Sequence, residues 1–203
     1  MIAASRAQET ETEFDDTPKI VVLGDSLVAG YQLPPGKSFP ERLQEALDAK
    51  GILAKIIAAG VSGDTTSGGL ARLAWSVPEG VDGVMLELGA NDALRGLPPK
   101  NTRENLNAII TQLTDRGIKV LLIGTPAPPN MGEDYAKEFN PIYPTLADEF
   151  GLRLYPFFLD GVLTHPEKLL DDGIHPNAAG IEVVVGKIIP MVEKFIEDLR
   201  PSP

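Results

Sequence analysis

The sequence predicts an α/β fold in which a parallel sheet is covered on both faces by helices. Short aliphatic segments alternate with amphipathic segments along most of the chain, and the aliphatic segments are nearly continuous. Strands that are buried on both faces of a parallel sheet have this composition. A chain of 203 residues, 43% of them hydrophobic and 23% charged, is also large enough to bury such a core. We therefore expect a doubly wound domain with right-handed crossovers.

Five aliphatic segments are the predicted strands. The first covers residues 20–23, with the sequence Ile-Val-Val-Leu, and runs directly into Gly24-Asp25-Ser26. The others cover residues 54–59, 83–88, 118–123 and 152–155. Five strands joined by about five helices indicate a flavodoxin-like three-layer α/β/α domain with a five-stranded parallel sheet.

The amphipathic segments between the strands are the predicted helices. Residues 39–50 place Leu43 and Leu47 on one face, with Ser38 as the N-cap and Gly51 after the end. Further helices are predicted over residues 66–74, 102–116 and 134–150, and a last one ends near Leu199. The Pro- and Gly-containing segments 28–38 and 124–132 and the segment 156–176 are predicted loops.

Residues 1–18 are polar and acidic and lack apolar periodicity, which predicts a flexible N-terminal arm before a single domain at residues 19–200. Ala3-Ala4-Ser5-Arg6-Ala7 has the small-residue character found at the end of an export signal. A plain disordered arm explains these residues equally well.

Composition excludes several classes of function. A net charge of −11 argues against binding to nucleic acid or to an anionic membrane surface. The chain has no cysteine and only two histidines, so thiolate sites and histidine-rich metal sites are excluded. No apolar run approaches the roughly 20 residues that a membrane span needs. We expect no metal and no cofactor.

Residues that carry chemistry follow four of the predicted strands. Because the carboxyl ends of parallel strands meet along one edge of the sheet, these residues are expected to lie together. Taken singly, each has a structural interpretation as a turn residue or a helix cap. Their shared location favours an active site. The residues concerned are Ser26, Gly60, Asn91, Asp172 and His175.

Acyl-transfer chemistry assigns the catalytic roles. A serine hydroxyl needs a base, and histidine suits neutral pH, so Ser26 is the candidate nucleophile and His175 the candidate base. Asp172 lies three residues before His175, where its carboxylate can bond one ring nitrogen. His165 has Val162 at the same offset and therefore has no such partner nearby. The candidate oxyanion donors are the backbone N–H groups of Ser26 and Gly60 and, from the third strand, the side-chain amide of Asn91.

Four short motifs resemble the conserved blocks of the SGNH (GDSL) hydrolase superfamily, in the same order along the chain. They are Gly24-Asp25-Ser26-Leu27, Gly60, Gly89-Ala90-Asn91-Asp92 and Asp172-Gly173-Ile174-His175-Pro176. The resemblance is strongest to the bacterial thioesterase I / arylesterase / lysophospholipase group. It implies Ser26, Asp172 and His175 as a triad and Ser26, Gly60 and Asn91 as oxyanion donors, in agreement with the chemistry above.

The resemblance also implies a substrate class. It predicts a serine esterase/thioesterase that hydrolyses short- to medium-chain acyl esters (aryl esters, acyl-CoA thioesters, lysophospholipids) through an acyl-enzyme intermediate. It implies a periplasmic or secreted protein, with a cytoplasmic location as the alternative. Acyl-chain preference is not carried over, because the loop at residues 75–81 is short and holds Trp75 and Pro78.

Two other functions compete with this hypothesis. A carbohydrate O-acetyl esterase would use the same set of residues. A non-catalytic flavodoxin-like module that binds a flavin or nucleotide would share the fold, but the chain has no Gly-rich phosphate loop.

Overall fold

The five predicted strands form one parallel sheet, which confirms the predicted fold class. The computed structural model describes residues 16–200, so most of the predicted N-terminal arm lies outside the described residues. The strands are β1 Lys19–Gly24, β2 Lys55–Gly60, β3 Gly83–Glu87, β4 Lys119–Ile123 and β5 Arg153–Tyr155. Their order across the sheet is β2-β1-β3-β4-β5, and every neighbouring pair is parallel. The direction of winding reverses between β1 and β3, and open α/β sheets bind their ligands outside this point.

Helices cover both faces of the sheet. In chain order they are α1 Ser26–Ala29, α2 Phe39–Ala49, α3 Thr66–Ala71, α4 Leu73–Ser76, α5 Ala90–Leu94, α6 Pro99–Asp115, α7 Glu133–Phe139, α8 Ile142–Phe150 and α9 Ala178–Leu199. Two 3-10 turns cover Pro129–Met131 and Pro166–Lys168. Along residues 16–200, no helix combines the length and the apolar character that a membrane span requires.

The inner strand β1, which has a neighbour on each side, explains why the core has two halves. Its four aliphatic side chains are fully buried and point alternately to the two faces. Ile20 and Val22 belong to the cluster formed with α2 and α9. Val21 and Leu23 belong to the cluster formed with α6 and α8. The end of β1 is thereby fixed from both sides, directly before Ser26.

Two predicted helices are each interrupted in the structure. The helix predicted over residues 134–150 consists of α7 and α8, because Pro141 has no N–H to continue the hydrogen-bond ladder. The helix predicted over residues 66–74 consists of α3 and α4, with a break at Arg72 (φ −100°, ψ 5°). The short helices α1 and α5 have no counterpart in the prediction, since four or five residues are too few to display an apolar period.

Candidate active site

Ser26 begins α1 directly after β1. Asp25 is the N-cap of this helix, and its Oδ1 accepts a hydrogen bond from the Leu27 N–H at 3.0 Å. The turn is tight: a Cβ on Gly24 would lie 2.3 Å from a methyl carbon of Val28 and 2.7 Å from an oxygen of Glu87. Ser26 is only 8% exposed. Its hydroxyl is therefore held at a fixed place at the carboxyl edge of the sheet.

His175 and Asp172 lie in the loop before α9. Their side chains form a hydrogen-bonded series in which His175 contacts Ser26 and Asp172 contacts His175. Ser26 Oγ lies 2.8 Å from His175 Nε2, and His175 Nδ1 lies 2.7 Å from Asp172 Oδ2. With the Nδ1 proton directed at Asp172, Nε2 accepts a hydrogen bond from the Ser26 hydroxyl. His165 is hydrogen-bonded to Thr164 instead, in keeping with its predicted lack of a catalytic role.

The Asp172 carboxylate is kept ionised by its own loop. Its Oδ1 accepts hydrogen bonds from the backbone N–H groups of Ile174, at 2.9 Å, and His175, at 3.0 Å. Partial burial acts to raise the pKa of Asp172, but the N–H groups of His175 and Ile174 and the His175 ring together hold it below its ordinary value. A charged Asp172 can fix the tautomer and orientation of the imidazole.

Tyr31 lies beside the site, although no role is predicted for it from the sequence. Its ring centroid lies 4.6 Å from that of His175, at an interplanar angle of 40°. The contact is made from the turn after α1, where Gln32 has a φ of +55°, an uncommon value for a residue other than glycine. Because the two hydrogen bonds of His175 leave its ring free to tilt, a contact on the ring face restricts that motion.

Asn91 lies in α5, on the far side of Ser26 from β2. Its Nδ2 donates a hydrogen bond of 2.8 Å to Asp25 Oδ2. A side-chain amide has two N–H groups, so one remains for a ligand. Asp25 thus ties the helix that carries Ser26 to the helix that carries Asn91.

Gly60 is the one predicted site residue that the structure does not direct toward Ser26. Val61 N–H donates to Gly24 O at 3.1 Å, and Gly60 is the register partner of Gly24. In a parallel ladder with these contacts the N–H of Gly60 points to the other side of β2, which is the outer edge of the sheet. Packing explains why residue 60 is a glycine, because a Cβ at this position would lie 2.3 Å from the Ala29 backbone nitrogen.

The loop that follows Gly60 does reach the site. Arg95, just after α5, donates from Nη2 to Gly63 O at 2.6 Å. Thr66 donates from its N–H and its Oγ1 to the Asp92 carboxylate, also in α5, at 2.8 and 2.5 Å. Because β1 lies between β2 and β3, these contacts carry residues 63–66 across the end of β1. Gly63, with a φ of +83°, is the glycine of this segment, and its carbonyl contacts Arg95 beside the helix that carries Asn91.

Two buried carboxyl groups lie beneath the nucleophile. Burial raises the pKa of Asp25 to about 6, against the opposing effect of the Leu27 N–H. Burial and the neighbouring charge of Asp25 raise the pKa of Glu87 well above its ordinary value. The Glu87 Oε2 accepts a long hydrogen bond of 3.4 Å from the Asp25 N–H. Its surroundings thus favour the neutral form of Glu87, which is part of the floor of the site.

Fold and site together define a serine hydrolase of the doubly wound α/β class. Within residues 16–200, no group of three or more His, Cys, Asp or Glu side chains is arranged to hold a metal ion. The GDSL-like lipase/acylhydrolase family matches residues 22–183. The chain belongs to this family, and it is a serine ester hydrolase, as the sequence predicted.

Similar proteins support this assignment. An arylesterase of Vibrio mimicus is 46% identical over 176 residues, which are 86% of this chain and 84% of that protein. A protein of Escherichia coli (strain K12) named thioesterase 1/protease 1/lysophospholipase L1 is 38% identical over 159 residues, which are 78% of this chain and 75% of that protein. Among solved structures, AlinE4, a SGNH-hydrolase family esterase, has a TM-score of 0.74 and 45% identity, over 88% of this chain and 96% of that one. The predicted serine esterase/thioesterase function is confirmed at this level.

Proposed function

We propose that this protein hydrolyses short- to medium-chain acyl esters and thioesters through an acyl-enzyme intermediate on Ser26. The observation that carries the proposal is the continuous hydrogen-bonded series from Ser26 Oγ through His175 to Asp172, with contacts of 2.8 and 2.7 Å. Nucleophile, base and orienting carboxylate at these distances are the arrangement that acyl transfer requires.

The first half of the reaction forms the acyl-enzyme. Ser26 Oγ attacks the carbonyl carbon of the ester while His175 Nε2 takes the hydroxyl proton, and Asp172 stabilises the resulting imidazolium. The tetrahedral intermediate collapses when the bond to the leaving oxygen or sulfur breaks and His175 gives its proton to that atom. The alcohol or thiol then departs.

The second half repeats these steps with water. His175 removes a proton from a water molecule, whose oxygen attacks the acyl carbon. When this intermediate collapses, Ser26 Oγ leaves and recovers the proton from His175, and the carboxylic acid is released.

The oxyanion of both intermediates needs hydrogen-bond donors on the opposite side of Ser26 from His175. We assign the backbone N–H of Ser26 and the free N–H of Asn91 Nδ2 to this role. Gly63 replaces Gly60 as the third candidate, since the N–H of Gly60 faces the outer edge of the sheet. One such donor contributes about 3–4 kcal/mol to lowering the barrier.

Exposed apolar side chains on the segments that carry the site residues favour acyl substrates over sugars. Tyr31, Val61, Leu94 and Ile174 are each 39–50% exposed, and each belongs to a segment that carries a site residue. Exposed apolar side chains on these segments suit an acyl chain or an aryl group. The carbohydrate O-acetyl esterase alternative therefore ranks second, and aryl esters, acyl-CoA thioesters and lysophospholipids are the proposed substrates.

The test is hydrolysis of p-nitrophenyl butyrate by the purified protein and by its Ser26→Ala variant. We expect the substitution to lower kcat by about 10⁴-fold or more, with the circular dichroism spectrum unchanged. A fluorophosphonate should label the wild type on Ser26 and leave the variant unlabelled, while Ser67→Ala, at an exposed position of α3, should behave as wild type. Undiminished turnover by Ser26→Ala would contradict the proposal.

A comparison of substrates decides between the two ester classes. Higher kcat/KM on acyl esters and acyl-CoA thioesters than on acetylated xylan supports the proposal, and the reverse order supports the carbohydrate alternative. We also propose a periplasmic or secreted location, which rests on the resemblance alone, and fractionation of native cells distinguishes it from a cytoplasmic one.

A further inference from the structure

Arg72 connects the segments that surround the nucleophile. It lies at the break between α3 and α4, and its side chain is only 14% exposed. The guanidinium donates from Nη2 to Gly24 O at 2.8 Å and from Nη1 to Ala59 O at 2.9 Å. Its Nε donates to Asp64 Oδ2 at 2.6 Å, and Nη1 also donates to Ser76 Oγ at 2.8 Å.

Three of these acceptors belong to the segments that hold the proposed oxyanion donors. Gly24 lies two residues before Ser26, and Asp64 directly follows Gly63. Ala59 lies at the end of β2, where the loop that carries Gly63 begins. One side chain thus joins the end of β1, the end of β2 and the loop between β2 and α3.

The chemistry of arginine suits this task. A guanidinium is planar, stays charged and presents five donors in a fixed geometry, so it can bind several acceptors at once. A lysine ammonium keeps the charge and can still pair with Asp64. It has a single nitrogen, however, so it cannot reproduce the two guanidinium nitrogens that bind the ends of β1 and β2. Position 72 therefore requires the shape of a guanidinium as well as its charge.

We infer that Arg72 is a positioning residue for the oxyanion site. It fixes the backbone N–H groups of Ser26 and Gly63 relative to each other by holding the segments on which they lie. The inference rests on the proposed function. Because a misplacement of about 1 Å in a catalytic group can cost about 100-fold in rate, loss of this clamp acts on turnover more than on substrate binding.

The chain offers a matched control in Arg116. This arginine also binds backbone carbonyls, with Nη2 donating to Val77 O at 2.8 Å and to Pro78 O at 3.0 Å. Those carbonyls precede β3, at the end of the sheet opposite to the site. Arg116→Lys removes a comparable clamp without touching a segment that carries a site residue.

The experiment measures kcat and KM on p-nitrophenyl butyrate, per fluorophosphonate-labelled site, together with the melting temperature. For Arg72→Lys we expect kcat to fall about 10- to 100-fold with KM changed less than about threefold, whereas Arg116→Lys keeps both near the wild-type values. For Arg72→Ala, added guanidinium ion at sub-denaturing concentration should restore part of kcat, and it should have no such effect on Arg116→Ala.

The outcomes are distinguishable. A folded Arg72→Lys enzyme with wild-type kcat overturns the inference, and so does a kcat loss that is equal in the Arg116 variant. If no Arg72 variant folds, the role is structural and the inference is likewise overturned. Failure of the wild type itself to label or to hydrolyse esters contradicts the proposed function, and that result does not depend on any arginine variant.

Discussion

Asp172 and His175 owe their geometry to hydrogen bonds that span two or three residues, whereas Ser26 and Asn91 depend on contacts between distant segments. The carboxylate of Asp172 bonds the backbone and ring of the residues just after it. Ser26 lies in a turn whose N-cap, Asp25, contacts Asn91 across 66 residues and Glu87 across 62. The base half of the site is encoded locally, and the nucleophile half exists only once the sheet has formed.

The two halves also differ in burial. Asp25 is 1% and Ser26 8% exposed, within a shell that includes Glu87, which is 2% exposed. The side chains of Asp172 and His175 are 35% and 20% exposed. Substitutions in the base half should therefore act on chemistry with little effect on stability, and substitutions beneath the nucleophile should show the opposite pattern.

The largest expected effect belongs to the base half. We expect His175→Gln to lower kcat by about 10⁴-fold, because the Ser26 hydroxyl then has no base. The melting temperature should change little, since the side chain is partly exposed and its loop is held by backbone contacts. The measurement is kcat on p-nitrophenyl butyrate with differential scanning calorimetry, and His165→Gln is the control. Comparable losses in the two histidine variants would remove His175 from the mechanism.

A smaller effect is expected where the two segments of the nucleophile half meet. Asn91→Ala should lower kcat by about 10²- to 10³-fold through the loss of one oxyanion donor. It also removes a hydrogen bond from the buried Asp25 carboxylate, so a moderate drop in melting temperature should accompany it. Asn140→Ala, which removes the acceptor of the Ala127 N–H, is the control for amide loss away from the nucleophile. If kcat stays within threefold of wild type, Asn91 is not a donor.

The smallest effect on turnover, with a clear effect on stability, is expected for Glu87→Gln. The folded-state pKa of Glu87 is raised, so the folded protein keeps a proton that the unfolded chain releases near the ordinary value. The stability linked to that proton is complete below the ordinary pKa and is lost as pH rises toward and through the folded pKa, with a slope of at most about 1.4 kcal/mol per pH unit. Glutamine does not ionise, so the variant should gain stability relative to wild type as pH rises.

Urea unfolding at several values between about pH 5 and about pH 9 measures this difference in the free energy of unfolding. The exposed Glu79→Gln serves as the control for the effect of a glutamate-to-glutamine substitution as such. A Glu87→Gln variant whose relative stability does not rise with pH would show that folding does not raise the pKa of Glu87.

The contrast between the halves explains which parts of the site the sequence could predict. Asp172 was identified from its spacing to His175, because three residues suffice to bring the carboxylate to the ring. The direction of the Gly60 N–H could not be predicted, because it depends on which side of β2 carries β1 and on the register, Gly24 with Gly60. Tyr31 and Arg72 have no local signal, since their partners lie on other elements.

By itself the sequence determined the order of the elements and the class of chemistry. Continuous aliphatic strands require burial on both faces, and a serine, an asparagine and a histidine at strand ends meet along one edge of any parallel sheet. Only the tertiary structure decided the strand order, the break at Arg72, and which glycine crosses the end of β1. The reason is physical: hydrophobic periodicity reports what is buried, whereas the direction of a hydrogen-bonding group is fixed only by the partner that packs against it.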